Sequence, residues 1–205
     1  MSRTLPRSFY ERDARDLARV LLNKLLVSRD PSGEVLAARI VEVEAYRGAE
    51  DPGSHAYRGM TKRNATMFGR PGHLYVYFTY GMHWCANVVA RERVEGSAVL
   101  LRAATPVSGI DLMRSRRVKA RRDRDLLSGP AKLCQAFGIT GAHDGTDLTR
   151  ARGVLRVVDD GVPPPADPLV STRIGLAPGR GDEFAWRYCV AGDPHISRSP
   201  RGVAG

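Results

Sequence analysis

One stretch of this sequence, EVLAARIVEVEAY at residues 34–46, restricts the fold more than any other part of the chain. Its β-branched residues and its alternating pattern predict a long β-strand. Side chains two residues apart share a face of a strand, so each face would carry its own set: Glu42, Glu44 and Tyr46 on one, and Val41, Val43 and Ala45 on the other. The two acids would therefore project together.

This acidic face has two interpretations. Alternating acids on a strand usually form its solvated side, and on the pattern alone we favour that interpretation. Tyr46 and the neighbouring valines keep a second one open, in which the face is the floor of a site. There Glu44 could serve as a general base, if it points into a partly dry concavity that holds a water molecule.

Other segments carry weaker structural signals. Residues 74–90 predict a β-hairpin, and residues 97–107 continue the sheet. Leucines at helical spacing predict an amphipathic helix over 10–27. Pro130 and Gly138 are typical of the first turn and the end of a short helix.

The chain shows no internal repeat and no shift in composition, which predicts a single domain over residues 1–205. A further strand is expected within 179–192, and residues from about 195 to the end are expected to form a loose tail. The N-terminal residues lack the apolar core of a secretory signal, so we expect a cytoplasmic protein.

Charge limits the partners that this chain can bind. Lysine and arginine number 32 against 22 acidic residues, a net charge of +10. This excess favours polyanions, with nucleic acid the first candidate and acidic lipid the second. Membrane insertion is not expected, because the chain contains no run of about 18 apolar residues.

The cysteines and histidines do not form a metal-binding pattern. Cys85, Cys134 and Cys189 are far apart and in no C-x-x-C pair, which is typical of buried free thiols. The five histidines are also scattered, without the spacings that metals favour. We therefore expect no metal and no cofactor.

Aromatic residues are concentrated in the predicted hairpin, in a chain that is only 7% aromatic. Cross-strand packing would account for Tyr75 and Phe78. Tyr77 could instead stack on a base in a pocket. Tyr80 stands where the turn begins and gains little burial there, so we expect it to protrude.

Two polar residues interrupt apolar strands. Asn87 lies within CANVVA and Arg102 within VLLRAA. Each should have a partner or a ligand, because an unpaired buried polar group costs about 1–3 kcal/mol. Arg102 would find its partner in Glu44 or Glu42, in a pairing that is either structural or orients the base of a reaction.

Basic residues crowd together in MRSRRVKARRDRD, residues 113–125. This segment is either a phosphate-contacting surface or a solvated, flexible loop. Phosphate contacts position a protein on DNA without specifying sequence. The cluster therefore favours nucleic-acid binding but says nothing about chemistry.

Several of these segments together resemble the alkyladenine (methylpurine) DNA glycosylase family. The resemblance lies in RIVEVEAY, DPGSHAYRG, KRNATMF, PGHLYVYFTYGMHWCAN, VLLRA, SGPAKLCQA and TRIGL, in that order, and covers about residues 17–197. It implies a mixed α+β domain with a curved antiparallel sheet, surrounding helices and a protruding hairpin that intercalates into DNA. The implied partner is duplex DNA with damaged purines, bound by a monomer.

The resemblance also implies how a damaged base is bound. Tyr80 matches the wedge that enters the minor groove while the damaged nucleotide rotates out of the duplex. Tyr46, His55 and Tyr77 match the residues that sandwich the flipped base. Asn87 matches the residue that crowds the exocyclic amine of a normal guanine. The expected contacts to the DNA backbone are these: Arg63, Met67, Lys132, Arg116 and Arg117.

The implied chemistry is hydrolysis of the N-glycosidic bond without strand cleavage. Glu44 matches the general base that deprotonates a water, Arg102 matches the arginine that positions this water, and the backbone at Ile174 completes its cage. Two alternatives remain: a non-catalytic lesion-binding module, and a metal nuclease that uses Glu42, Glu44, Asp51 and His55.

Overall fold

The alternating stretch forms the longest strand of the protein and lies at the centre of its sheet. The computed structural model describes residues 2–91 and 94–198. Within them the strands are β1 Arg3–Thr4, β2 Leu25–Arg29, β3 Val35–Arg47, β4 Leu74–Thr79, β5 His83–Ala90, β6 Ser97–Ser108, β7 Leu155–Asp159, β8 Leu169–Ser171 and β9 Arg187–Cys189. The α-helices are α1 Ala14–Leu21, α2 Ile110–Arg116 and α3 Pro130–Phe137.

The strands form one open, entirely antiparallel sheet in the order β1-β7-β2-β3-β6-β5-β4, with β9 pairing to β3 and β8 to β9. β3 pairs with β6 over most of its length, and the register shifts near Ile40 and Glu42. Such irregularities bend a strand locally and increase its twist. With the three helices, this sheet gives the single α+β domain that the sequence predicts.

Alternation along the central strands divides the sheet into two different faces. Val43 and Ala45 of β3 point into the main hydrophobic core, together with Val76, Val88 and Leu101 of the neighbouring strands. Helices α1 and α3 cover this face. The alternate residues of these strands point to the opposite face, which carries most of the predicted site. Its smaller apolar cluster includes Met67 and Tyr75.

Helix α1 is shorter than the predicted 10–27. It begins after Asp13, whose side chain accepts a hydrogen bond from the backbone of Arg15, as an N-cap residue does. It ends before Asn23, which has the left-handed φ of +66° that stops a helix. Leu25 therefore belongs to β2 and packs in a separate small cluster.

Other predicted elements are confirmed. The hairpin is β4 paired with β5, and β6 continues the sheet. Helix α3 begins at Pro130 and ends before Gly138, which is left-handed. β9 lies within the predicted 179–192. The three cysteines are buried and free.

The end of the chain is only partly described. Residues up to 198 contact the domain, and Ser197 donates hydrogen bonds to Glu42 in β3. The remainder of the expected tail, residues 199–205, lies outside the described residues. Among the described helices, none has the length and apolar character that a bilayer crossing requires.

Candidate active site

The candidate site is built from four adjacent strands on the face opposite the main core. Glu44 of β3 pairs in register with Leu100 of β6, which pairs with Asn87 of β5, which pairs with Tyr75 of β4. This row crosses the sheet. It brings together residues that are up to 56 positions apart in the sequence, from Glu44 to Leu100.

A cavity of about 230 Å³ opens above this row. Loops close its sides: residues 53–67 on one, Ile174 to Leu176 on another, and Pro130 at the start of α3. The structure thus brings these predicted site residues together in its wall: Tyr46, His55, Met67, Tyr77, Tyr80, Asn87, Arg102 and Ile174. Glu44 is fully buried directly behind them.

Three aromatic rings form one side of the cavity. The rings of His55 and Tyr77 meet edge to face with centroids 4.5 Å apart, and Tyr75 stacks on Tyr77 at 5.5 Å. The Tyr75 hydroxyl lies 3.1 Å from Nδ1 of His55. Burial and, to a smaller extent, Arg63 lower the pKa of His55, which favours a neutral imidazole. Such a wall can stack on a flat base.

Glu44 is held by three groups that also line the cavity. Oε1 accepts a hydrogen bond of 2.7 Å from the backbone N–H of Ile174, and Oε2 accepts one of 3.0 Å from the Tyr46 hydroxyl. Nη1 of Arg102 lies 3.3 Å from Oε2. Burial raises the pKa of Glu44 above the usual carboxyl value, although Arg102 opposes this shift. A carboxyl of this kind is suited to accept a proton.

The solvated interpretation of the acidic face is wrong, because Glu42 and Glu44 are both fully buried. Glu42 accepts hydrogen bonds of 2.8 Å from Nε of Arg102 and from Nε of Arg187. Arg102 therefore donates a hydrogen bond to Glu42 and forms an ion pair with Glu44, whereas the sequence predicts a partner in one or the other. Asn87 is also buried, and its amide donates a weak hydrogen bond of 3.3 Å to the Tyr75 carbonyl.

A second buried ion pair lies behind Tyr46 and was not predicted. Arg173 and Asp51 form a two-pronged pair of 2.5 and 2.7 Å, and both side chains are fully buried. The guanidinium of Arg173 stacks 4.6 Å from the ring centre of Tyr46. Because Arg173 precedes Ile174, this pair fixes both the tyrosine ring and the backbone donor that holds Glu44.

Tyr80 occupies the tip of the β4–β5 hairpin at the rim of the cavity. It is 82% exposed, and Met82 beside it is 69% exposed. Tyr80 and Gly81 both have positive φ, and the N–H of Met82 bonds to the carbonyl of Thr79, which closes a tight turn. The tip thus presents a large aromatic side chain to solvent, as the sequence predicts.

The residues expected to contact the DNA backbone lie in different surroundings. Arg63 is exposed beside the cavity, with its guanidinium 5.7 Å from the Tyr77 ring, and Lys132 is half-buried near Pro130. Met67 is buried in the cavity wall. Arg116 pairs with Asp30 and donates to the Ala136 carbonyl, whereas Arg117 donates to Gln135.

The residues of the nuclease alternative do not converge on one point. Glu42 is engaged by two arginines and Asp51 by Arg173. Across residues 2–91 and 94–198, no group of three or more acidic, histidine or cysteine side chains is arranged to hold a metal ion.

Known proteins are similar to this chain over nearly its whole length. A family model described as "Methylpurine-DNA glycosylase (MPG)" matches residues 8–194. A protein of Burkholderia lata named "Putative 3-methyladenine DNA glycosylase" is 53% identical over 94% of this chain and 90% of its own. Proteins with the same name are 46% identical in Carboxydothermus hydrogenoformans (95% and 98% covered) and 45% identical in Streptomyces avermitilis (94% and 90% covered).

Proposed function

Since this chain belongs to the methylpurine-DNA glycosylase family and is a DNA glycosylase, we propose that it removes alkylated or deaminated purines from duplex DNA. The damaged nucleotide would be rotated into the cavity, and Glu44 would activate the water that cleaves the N-glycosidic bond. The product would be an abasic site in an uncut strand, the first intermediate of base excision repair.

The observation that carries this proposal is a buried carboxylate directly behind an aromatic cavity in a protein of charge +10. A carboxylate next to polyanionic DNA is unfavourable for binding, so it needs a chemical reason. General-base catalysis gives that reason, because a base with a raised pKa accepts a proton more readily.

The reaction needs one water between Glu44 and the extruded nucleotide. Glu44 would remove a proton from this water while the oxygen of the water bonds to C1′. The bond from C1′ to the purine nitrogen would break, and its electron pair would stay on the base. The Ile174 N–H and Arg102 would fix the carboxylate during this step. Ionised Glu44 would also stabilise the positive charge that develops on the sugar.

The cavity wall suits purines that have become cationic by alkylation. Electron-rich ring faces such as those of Tyr46 and Tyr77 attract a cation by about 0.5–2 kcal/mol beyond ordinary stacking. Asn87 would exclude normal guanine by crowding its exocyclic amine. Candidate substrates are 3-methyladenine, 7-methylguanine, hypoxanthine and ethenoadenine.

Base release from duplexes with these lesions tests the proposal directly. We expect release from at least one of them, equal with and without EDTA, and no strand cleavage until the abasic site is opened by alkali. Intact lesions at every salt concentration would overturn the enzymatic assignment. Tight lesion binding without release would favour the alternative of a non-catalytic lesion-binding protein.

Replacing Tyr80 by alanine should reduce the preference for damaged over undamaged duplex by about tenfold, because an aromatic stack on a base is worth about 1–3 kcal/mol. Tyr80→Phe keeps the ring and is the matched control, with a preference close to that of the wild type. Both affinities are measured by titration of labelled duplexes. An equal loss of affinity for both duplexes would remove the wedge role from Tyr80.

The salt dependence of DNA binding should identify the residues that contact phosphates. The slope of log K against log salt is negative, and each lost phosphate contact reduces its magnitude by about 0.9. We expect this change for Arg63→Gln and Lys132→Gln, and a slope of smaller magnitude for charge reversal at Arg116 and Arg117. Charge reversal at exposed Arg152 controls for net charge. An unchanged slope would mean that the substituted residue faces away from DNA.

The proposed setting follows from the same assignment. The protein would act as a monomer in the bacterial cytoplasm, bound along the chromosome, with neither metal nor cofactor in its reaction.

A further inference from the structure

Behind the proposed catalytic pair lies a buried carboxylate that the proposed reaction does not use. Glu42 is fully buried, and of the three residues that hold it, Arg102, Arg187 and Ser197, only Arg102 lines the cavity, whereas all three groups that hold Glu44 do. Glu42 nevertheless gathers more hydrogen bonds than Glu44. We propose that Glu42 is a positioning residue that directs Arg102 toward Glu44, and that Ser197, close to the C-terminus, completes this arrangement. This inference rests on the proposed function.

The carboxylate of Glu42 is held by donors on both of its oxygens. Its Oε1 accepts from Nε of Arg102, from Nε of Arg187 and from the hydroxyl of Ser197, each at 2.8 Å. Its Oε2 accepts from the backbone N–H of Ser197 at 2.5 Å. Four donors from three separate parts of the chain therefore fix this carboxylate in one orientation.

The rigid shape of the guanidinium group transmits this orientation through Arg102. Arginine presents its donors in a rigid plane, so fixing Nε determines where the terminal nitrogens point. With Nε of Arg102 on Glu42, its Nη1 lies 3.3 Å from Oε2 of Glu44. Without the contact to Glu42, this direction would depend on two longer contacts, from Arg102 to the Ser197 hydroxyl at 3.4 Å and to Glu44 at 3.3 Å.

The last described residues, 193–198, form a segment that we call the C-terminal strap. Asp193 accepts a hydrogen bond of 2.9 Å from the Thr105 hydroxyl in β6, and Nη2 of Arg187 in β9 donates to the Arg198 carbonyl. Ser197 lies between these anchors and binds Glu42 in β3. The strap therefore contacts three strands and supplies two of the four donors to Glu42.

The two acids are consequently in different electrostatic positions. Burial alone would raise the pKa of both, but Arg102 and Arg187 together hold the pKa of Glu42 below its ordinary value. Glu44 is paired with Arg102 and accepts from Ile174 and Tyr46, but burial outweighs these contacts and its pKa stays raised. This division leaves Glu42 ionised as a fixed anchor and leaves Glu44 able to exchange a proton.

Three variants test the proposal: Glu42→Gln, Ser197→Ala and the conservative Ser197→Thr. Asp159→Asn is the matched control, since it removes the partner of buried Lys24 in an ion pair that does not involve these groups. For each variant we would determine a crystal structure, the affinity for lesion duplex, and the single-turnover rate of base release at saturating enzyme.

We expect Glu42→Gln to lower the rate by about 10²-fold and Ser197→Ala by about three- to tenfold, with lesion affinity unchanged. Ser197→Thr should recover most of the rate, because it keeps both donors. In the crystal structures of the first two variants, Arg102 should turn away from Glu44. If Glu42→Gln does not fold, Ser197→Ala and Ser197→Thr decide the question.

The positioning role would be overturned by a lost rate with Arg102 still directed at Glu44, or by an unchanged rate in Ser197→Ala. If Glu42→Gln and Ser197→Ala bind the lesion more weakly and Asp159→Asn loses affinity in proportion, the cause is a general loss of stability. This result would also overturn the positioning role. If the wild type releases no base, the proposed function fails, and the Arg102 orientation in the variants alone supports or overturns the positioning.

Discussion

Replacement of Glu44 by glutamine is expected to lower the single-turnover rate of base release by about 10²–10⁴-fold, the range that a positioned general base contributes. Glutamine keeps the size of the side chain and can still accept from the Ile174 N–H, but it cannot remove a proton from water. Affinity for the lesion duplex should be kept or increased, because the substitution removes a negative charge near DNA.

The acidic limb of the pH–rate profile gives a second test of the same group. Only ionised Glu44 can act as a base, and its pKa is raised by burial. Activity should therefore fall, as pH is lowered, at a higher pH than for an ordinary glutamate. Glu34→Gln, the same change at an exposed position, is the control and should leave rate and profile unchanged. Activity that survives in Glu44→Gln would assign the base to a different carboxylate.

Replacement of Asp51 by alanine is expected to lower the free energy of unfolding by about 3–5 kcal/mol, because it leaves Arg173 as an unpaired charge in the interior. Asp51 also accepts from the backbone N–H of Gly53 at 2.9 Å, so the loop beside the cavity would loosen as well. Urea denaturation followed by fluorescence and circular dichroism would measure the change.

The surface pair Arg114–Asp111 offers a matched comparison. Asp111 is 92% exposed, and its replacement by alanine should produce no measurable change in stability. An equal effect of the two substitutions on the free energy of unfolding would show that the Asp51–Arg173 pair is hydrated and contributes little to stability.

The double variant Asp51→Leu with Arg173→Met separates the effect of the ion pair on stability from its effect on the position of the site residues. Apolar residues of similar size often restore the stability lost with a buried ion pair. We expect stability to recover in this variant while base release stays low, because Tyr46 loses the guanidinium stacked behind it and Ile174 loses its anchor. Recovery of both properties would mean that the pair has no role in placing the site.

Local patterns in the sequence were sufficient for the central strands and for α3. The alternation around Glu44 predicted both the strand and its two faces, and Arg102 in an apolar run predicted a buried partner. The pattern could not show that the acidic face is buried. That depends on loops from residues 53–67 and 174–176, which cover the face only after the chain has folded.

The site residues that were not predicted from the sequence form ion pairs with residues far away along the chain. Arg187 lies 145 positions from Glu42, and Arg173 lies 122 positions from Asp51. Arg187 did carry a usable signal, since it stands between Trp186 and Tyr188 in an apolar run just as Arg102 does. Helix α1 was predicted too long because leucine spacing outweighed Asn23, a residue type that commonly ends helices.

The hairpin tip places fold stability in opposition to the wedge role that we propose for Tyr80. Tight turns with positive φ at both central positions favour Asn-Gly, whereas here a tyrosine stands before Gly81 and adopts φ of +49°. A left-handed conformation costs a bulky residue about 1–2 kcal/mol. A library of this protein selected for heat resistance alone would therefore accumulate asparagine or glycine at position 80. The survivors would be more stable proteins that lack the aromatic side chain of the proposed wedge.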